Sequence, residues 1–143
     1  MTAPTEGRSA VSGRLTGTSG RYLLSAGTNH LVSDSRSGQP EAITAGELFM
    51  AAVASCALSN IDRHGTDLGA DLTDATVRAE SLRDAEDETR YREVRLTVDL
   101  PHVPAPTARE IIARFTGTCP IYNTIRRGGT IALHLEPPRL AHD

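Results

Sequence analysis

The length, charge and aromatic content of the chain exclude several classes of protein. Its 143 residues suffice for one domain with a hydrophobic core but not for two domains of ordinary size. The net charge of -3 gives no electrostatic reason to expect nucleic acid or an anionic membrane surface as a partner. With two Phe, three Tyr and no Trp, the chain also lacks the aromatic residues on which single-stranded nucleic acid would stack.

The hydropathy of the chain predicts a soluble protein of the cytoplasm. Residues 1–14 contain no apolar stretch of the signal-peptide kind. The longest apolar run, residues 48–61, is too short to cross a bilayer and carries several polar side chains. Because cysteines in the cytoplasm are usually reduced, we expect Cys56 and Cys119 to be thiols, either as buried packing residues or as a redox pair.

The N-terminal part of the chain predicts a tail followed by a meander of short strands. Residues 1–9 are mostly small, polar or Pro, which is typical of a flexible tail, and we expect residues 10–143 to form a single domain. Gly and Asn residues then separate short, weakly apolar segments, which indicates strands joined by turns. The strands are predicted at residues 11–16, 21–25 and 31–33, and a polar loop at residues 35–40.

The clearest predicted element is a long helix that begins after Thr44. Thr44 followed three residues later by Glu47, ahead of an apolar run, is a capping-box pattern. We expect the helix to cover residues 45–64 and to end near Gly65. Its apolar residues occupy most of the circumference, so the helix should be buried on most sides. Because one small domain has difficulty covering such a helix, burial alone favours a second subunit as a partner.

The second half of the chain predicts two strands, two helices and a last strand. Apolar and polar residues alternate from Val94 to Leu100, which is typical of a half-buried strand. Thr107 can cap the next helix and Gly117 can end it, while Pro120 favours the first turn of another helix. The predicted elements are strands at residues 72–82 and 94–100, helices at 107–117 and 119–128, and a strand at 131–135. The resulting order, β-β-β-α-β-β-α-α-β, defines an α+β domain.

Two cysteines carry the chemistry that the sequence offers. Cys56 lies in the apolar helix, where a cysteine is most often a packing residue. Cys119 precedes Pro120 at a predicted helix start, where unpaired backbone N–H groups and the helix dipole favour a thiolate. The spacing of the two residues does not show that their side chains meet. A reactive pair and two structural cysteines therefore both stay open on the residues alone.

The segments around the two cysteines form a pair of motifs. Residues 46–56, GELFMAAVASC, combine an acidic residue, large apolar residues, small residues and then Cys. Residues 119–125, CPIYNTI, combine Cys-Pro with a short helix. In this order, and over roughly residues 10–136, the chain resembles the OsmC/Ohr family of osmotically inducible and organic-hydroperoxide-resistance proteins, and more closely its OsmC-like branch. The predicted order of elements also agrees with the fold of that family.

The resemblance implies a thiol peroxidase that works as an intertwined homodimer. In this family the first cysteine attacks a peroxide and becomes a sulfenic acid, and the second cysteine resolves it as a disulfide. Cys56 is thereby implied as the peroxidatic residue and Cys119 as the resolving residue, with organic hydroperoxides as substrates. A dithiol reductant, lipoyl groups in the Ohr branch or another thiol, regenerates the pair. No metal or organic cofactor is implied, and the His residues are too scattered to suggest a ligand cluster.

The family also places an Arg, braced by a Glu, beside the first thiolate. Arg21, which follows a Gly turn in the early strands, is favoured for this role over Arg36 in the loop before the helix. Arg126 and Arg127 are further options, although they are more simply explained as the charge pair of a helix C terminus.

The bracing Glu marks a departure of this chain from the Ohr branch. That branch carries its Glu one position earlier relative to the cysteine, where Gly46 stands here. Glu47 is the candidate replacement, although it also fits a capping box with Thr44. The departure keeps open a non-enzymatic dimer that binds an apolar or thiol-bearing small molecule in a pocket lined by the cysteines. A dimeric stress protein whose cysteines only pack is the third hypothesis.

Overall fold

The structure, a computed structural model, describes residues 7–35 and 41–137 as a mixed α+β fold. These residues form three helices and two sheets, which confirms the predicted fold class. They fall into two compact units, one with the residues up to Ser55 and Thr76–Asp99, the other with Cys56–Ala75 and the residues from Leu100 onward. Within the described residues, no helix has both the length and the apolar character needed to cross a membrane.

The first sheet belongs to the first unit and begins as the predicted meander. Strands β1 (Ser12–Leu15), β2 (Arg21–Ala26) and β3 (Asn29–Asp34) pair in antiparallel fashion. Gly27, with φ +60°, allows the tight turn between β2 and β3. A two-residue strand, β4 (Ile43–Thr44), then pairs in parallel with β3 and was too short to be predicted. Most of the predicted polar loop, residues 36–40, lies outside the described residues.

The second sheet, also in the first unit, is a hairpin of β5 (Thr76–Arg83) and β6 (Tyr91–Asp99). Val94, Leu96 and Val98 are half-buried while their neighbours in β6 are exposed, which confirms the predicted alternation. Strand β5 begins four residues later than predicted, because the chain first makes a turn in which Asp74 has a φ of +59°.

Helix α1 (Ala45–Asp67) begins where the sequence predicts and ends later. The Thr44 N–H donates to Glu47 Oε2 at 2.8 Å and the Glu47 N–H to Thr44 Oγ1 at 3.4 Å, which confirms the capping box. The helix was expected to end near Gly65, and it continues two residues beyond it. A β-carbon on Gly65 would lie only 2.8 Å from the Leu72 side chain, so a glycine at this helical position leaves the space that Leu72 needs to pack against α1.

Within the described part of the chain, α1 is buried along one stripe. Val53, Ala57 and Ile61 follow each other at helical spacing and are at most 3% exposed. On other sides of the helix, Ala51, Ala52 and Leu58 are exposed. The expected burial on most sides is therefore not achieved by the described residues of a single chain.

Helices α2 (Ala105–Thr118) and α3 (Pro120–Arg127) belong to the second unit. Helix α2 begins two residues before the predicted cap Thr107, because Pro104 occupies the N-cap position, and it runs through Gly117. It ends at Cys119, whose extended backbone also starts α3 with Pro120 in the first turn, as predicted. Gly128, with φ +69°, ends α3 as expected.

The predicted last strand is wrong for the single chain. Ile131, Leu133 and Leu135 alternate as in a strand, but each is at least 94% exposed and no strand is formed over residues 131–135. The alternation describes a segment suited to pairing, and a strand forms only where a neighbouring strand is available. The described residues of this chain provide no such neighbour for it.

Candidate active site

The structure brings the two cysteines together in the second unit. Their sulfur atoms lie 2.6 Å apart, and both residues are free thiols. Cys119 is only 1% exposed, whereas Cys56 is partly accessible. The question that the sequence left open is thus answered: the side chains meet, within reach of disulfide formation after a small adjustment.

The N terminus of α3 positions both sulfur atoms. Cys119 is its N-cap residue, and the Tyr122 N–H donates to the Cys119 sulfur at 3.4 Å. The Ile121 N–H forms a hydrogen bond to the Cys56 thiol. The first N–H groups of a helix have no partner within the helix, and Pro120 has no N–H to satisfy. Two of these donors therefore serve the two sulfurs.

The pKa of Cys56 is raised from its ordinary value near 9.0. Burial is the largest cause, because it disfavours the charged thiolate, and the hydrogen bond and charge of Cys119 act in the same direction. The hydrogen bonds from Ile121 and Asn60 lower the pKa of Cys56 and offset part of this effect. This direction disfavours the thiolate, the reactive form of a cysteine, because burial and the partner thiol outweigh the donors.

Asn60, which the sequence did not single out, is the polar neighbour of this pair. Its Nδ2 lies 2.9 Å from the Cys56 carbonyl oxygen and 3.7 Å from the Cys56 sulfur. Its Oδ1 accepts a hydrogen bond from Thr118 Oγ1 at 3.0 Å, and His64 Nε2 lies 3.1 Å from the same hydroxyl. Cys56, Asn60 and His64 follow each other every four residues on α1, a polar stripe within an apolar helix that could have indicated this cluster.

Arg21, the predicted cation, lies at the start of β2 in the first unit. Its Nε lies 2.8 Å from Oδ1 of the buried Asp34, and one of its terminal nitrogens lies 3.0 Å from Glu41 Oε2. Asp34 Oδ1 receives no well-aligned hydrogen bond within the described residues, so the contact with Arg21 is an ion pair. Asp34 Oδ2 accepts the backbone N–H groups of Glu41 and Ala42. Arg21 is thus held by two carboxylates of its own unit.

The remaining candidate residues from the sequence are Glu47, Arg126, Arg127 and Arg36. Glu47 closes the capping box and borders a groove of about 600 Å³ in the first unit, together with Thr44, Met50 and Ser81. Arg126 and Arg127 occupy the last turn of α3, as expected for a C-terminal charge pair. Arg36 lies outside the described residues. No group of three His, Cys, Asp or Glu residues in the described part of the chain could hold a metal ion.

A mixed α+β fold in which a thiol of a long helix meets a thiol that caps a short helix defines a class of small dithiol protein. Residues 38–134 match the family described as OsmC-like protein, and the chain belongs to this family. The resemblance found in the two motifs is thereby confirmed.

Solved structures of the same family share this fold at low sequence identity. The OsmC-like protein of Mycoplasma pneumoniae has a TM-score of 0.73 at 14% identity, over 85% of this chain and 89% of the other. An organic hydroperoxide resistance protein OsmC of Legionella pneumophila has a TM-score of 0.64 at 20% identity, over 85% and 90%. The organic hydroperoxide resistance protein OhrB of Bacillus subtilis has a TM-score of 0.60 at 16% identity, over 84% and 91%. No curated protein matches the sequence.

Proposed function

We propose that the protein reduces organic hydroperoxides through Cys56 and Cys119 and so contributes to defence against oxidative stress. The observation that carries this proposal is the distance of 2.6 Å between the two sulfur atoms at the start of α3. Support comes from the family, which includes proteins named for organic hydroperoxide resistance. We further propose that the reaction takes place in the cytoplasm, where reduced thiols are maintained.

Cys56 is the attacking residue in this proposal because it is the more accessible thiol. Cys119 is 1% exposed, so a peroxide in solution reaches Cys56 first. The Cys56 thiolate attacks the outer oxygen of the hydroperoxide, the O–O bond breaks, and the alkoxide leaves as an alcohol after taking up a proton. Cys56 is then a sulfenic acid and the peroxide has gained two electrons.

Cys119 completes the turnover by resolving the sulfenic acid. Its sulfur attacks the Cys56 sulfur, a disulfide forms, and the hydroxyl group leaves as water with the proton of the Cys119 thiol. The short distance between the sulfurs favours this step over further oxidation of Cys56. A dithiol reductant, such as a lipoyl group, then reduces the disulfide by thiol–disulfide exchange and is itself oxidised.

Arg21 and Glu47 remain candidate catalytic residues. A guanidinium beside the reacting thiol would stabilise the thiolate and offset the effects that raise the pKa of Cys56. In this proposal Asp34 and Glu41 orient Arg21, and Glu47 takes over from the Glu that Gly46 replaces. Arg21→Met should then slow the reaction of Cys56 with peroxide, whereas a purely structural Arg21 would change stability alone.

We also propose that the working form is a homodimer. The exposed side of α1, with Ala51, Ala52 and Leu58, leaves apolar surface that a second copy could cover. The exposed apolar residues at the C-terminal end, Ile131, Leu133 and Leu135, support the same proposal, because they have the alternation of a strand.

Two cysteine variants test the reaction. Cys56→Ser should abolish hydroperoxide consumption, measured with excess dithiol, because the attacking sulfur is gone. Cys119→Ser should consume about one equivalent per chain and stop at a sulfenic acid, which dimedone traps for mass spectrometry. Ser12→Ala, at an exposed position of β1, serves as the control with full activity. Undiminished consumption by Cys56→Ser would refute the proposal.

The raised pKa of Cys56 favours one alternative function. A thiol that stays protonated near neutral pH suits a binding site more than a peroxidatic site. In that case the dimer binds an apolar or thiol-bearing small molecule and the cysteines only line the pocket. Thermal stabilisation by such a ligand would survive replacement of both Cys56 and Cys119, whereas peroxide turnover would be absent in the parent protein.

A further inference from the structure

We propose that Asn60 is a further catalytic residue, whose side-chain amide donates a hydrogen bond to the Cys56 sulfur and stabilises the thiolate. Thr118 and Arg63 act as positioning residues that hold this amide in place. The consequence for peroxide reduction rests on the proposed function, but the effect on the thiol itself is measurable without any peroxide.

The orientation of the Asn60 amide is fixed from both ends. Nδ2 lies 2.9 Å from the Cys56 carbonyl oxygen, which can only accept a hydrogen bond. Oδ1 lies 3.3 Å from a terminal nitrogen of Arg63, which can only donate. A flipped amide would place oxygen against oxygen at one end and two donors against each other at the other. The NH₂ group therefore faces Cys56.

This NH₂ group has a second hydrogen for the sulfur. One hydrogen satisfies the Cys56 carbonyl, and Nδ2 lies 3.7 Å from the Cys56 sulfur, within hydrogen-bond range for that larger atom. A thiolate accepts such a bond more strongly than a thiol does, because the acceptor then carries a charge. Asn60 is 7% exposed, so water competes little for the amide. The hydrogen bond from Asn60 accordingly lowers the pKa of Cys56, against the larger effects of burial and of Cys119.

Thr118, which directly precedes Cys119, forms a hydrogen bond to this amide. Its Oγ1 lies 3.0 Å from Asn60 Oδ1 and 2.7 Å from the Arg114 carbonyl oxygen, and it is the last residue of α2. His64 Nε2 lies 3.1 Å from the same hydroxyl. Together with Arg63, Thr118 thus holds the acceptor end of the amide next to the resolving cysteine. Loss of the Thr118 hydroxyl should let the Asn60 side chain rotate away from the sulfur.

The test measures the ionisation of Cys56 as a single thiol. In a Cys119→Ser background, the rate of alkylation by iodoacetamide is followed from pH 6 to 11, since only the thiolate reacts. The midpoint of this pH–rate curve reports the pKa of Cys56. Asn60→Ala should raise the midpoint and slow alkylation about fivefold at pH 7, and the two proteins should react equally fast at pH values above the midpoint. Asn60→Asp, equal in size but with a carboxylate in place of the donor, should slow it more. A midpoint unchanged by Asn60→Ala would overturn the proposal.

A matched pair of threonine variants distinguishes loss of the Thr118 contact with Asn60 from a general destabilisation of helix α2. Thr116 lies two residues before Thr118 on α2, and its hydroxyl bonds to the Ile112 carbonyl oxygen at 3.0 Å, as Thr118 bonds to Arg114. Thr116→Val should leave the midpoint of Cys56 unchanged, whereas Thr118→Val should raise it, by less than Asn60→Ala does. Equal shifts in both variants would contradict a positioning role for Thr118.

Failure of this inference and failure of the proposed function give different results. If peroxide is not reduced but Asn60→Ala still raises the midpoint, the thiolate donor is confirmed and the peroxidase proposal fails. If peroxide is reduced but the midpoint and the pH profile of turnover do not change in Asn60→Ala, the assignment of Asn60 fails alone.

Discussion

The ionisation of Cys56 links the site to the stability of the fold. Burial and Cys119 raise the pKa of Cys56 above its ordinary value near 9.0, so the unfolded chain releases this proton at a lower pH than the folded chain. The contribution of the protonated thiol to stability is therefore fully present below pH 9 or so and is lost as the pH rises through the folded value. We expect the free energy of unfolding to fall over this alkaline range. Cys56→Ala should show a shallower decline in urea titrations under reducing conditions, and equal slopes in the two proteins would contradict the raised pKa.

Asp34 is the residue whose removal should most weaken the first sheet. It is 5% exposed and holds Arg21 and two backbone N–H groups, so its loss removes an ion pair and leaves partly buried donors without their partner. Asp34→Ala should lower the free energy of unfolding by about 2 kcal/mol. Glu110→Ala, which breaks an exposed ion pair with Arg114, is the control and should change it little. Chemical denaturation of both variants checks this, and equal losses would show that the Asp34 cluster adds nothing special.

Replacing Gly by Ala should change the free energy of unfolding in opposite directions at two helical positions, Gly65 and Gly117. A β-carbon on Gly65 in α1 would lie 2.8 Å from the Leu72 side chain, whereas one on Gly117 in α2 meets nothing within 4 Å. Gly117→Ala should therefore raise the free energy of unfolding by about 0.5–1 kcal/mol, because Ala is the better helix former. Gly65→Ala should lower it by about 1–3 kcal/mol, because Leu72 must move. Thermal unfolding of the two variants decides this, and stabilisation by both would refute the close packing at Gly65.

These glycines also show where sequence patterns suffice and where they do not. The start of α1 was predictable because the capping box of Thr44 and Glu47 is a local interaction. Helices α1 and α2 continue past Gly65 and Gly117 by one or two residues, because glycine weakens a helix by only about 1 kcal/mol and does not by itself fix the last residue. The meeting of Cys56 and Cys119 could be implied only by resemblance to a family, since it depends on tertiary contacts. The sequence indicated Asn60 only weakly, as one polar residue a helical turn after Cys56 in an apolar helix.

The proposed assembly of two chains would cover apolar side chains that are exposed in a single chain. If Ile131, Leu133 and Leu135 pair as a strand with a second copy, replacing all three by Ser should weaken the proposed dimer by 100-fold or more, since several large apolar side chains lose their burial. His134→Ser, between the two leucines, is the control and should leave the dimer intact. Sedimentation over a range of protein concentrations measures this, and an unchanged dimer in the triple variant would exclude this segment from the interface.

The same apolar residues show why alternation alone predicted a strand that the single chain does not form. Alternation of Ile131, Leu133 and Leu135 indicates a surface to be covered, yet the sequence does not say which strand covers it. The extent of one folded domain, predicted as residues 10–143, likewise depends on contacts that periodicity does not contain, and it stays a prediction.

The most direct test of the redox pair is a count of free thiols in the reduced native protein before and after one equivalent of an organic hydroperoxide. The proposed mechanism predicts that the free thiols of Cys56 and Cys119 are both lost within seconds and that a dithiol restores both. Two thiols that persist for many minutes would show that Cys56 is not activated, and would favour a binding protein with the same fold.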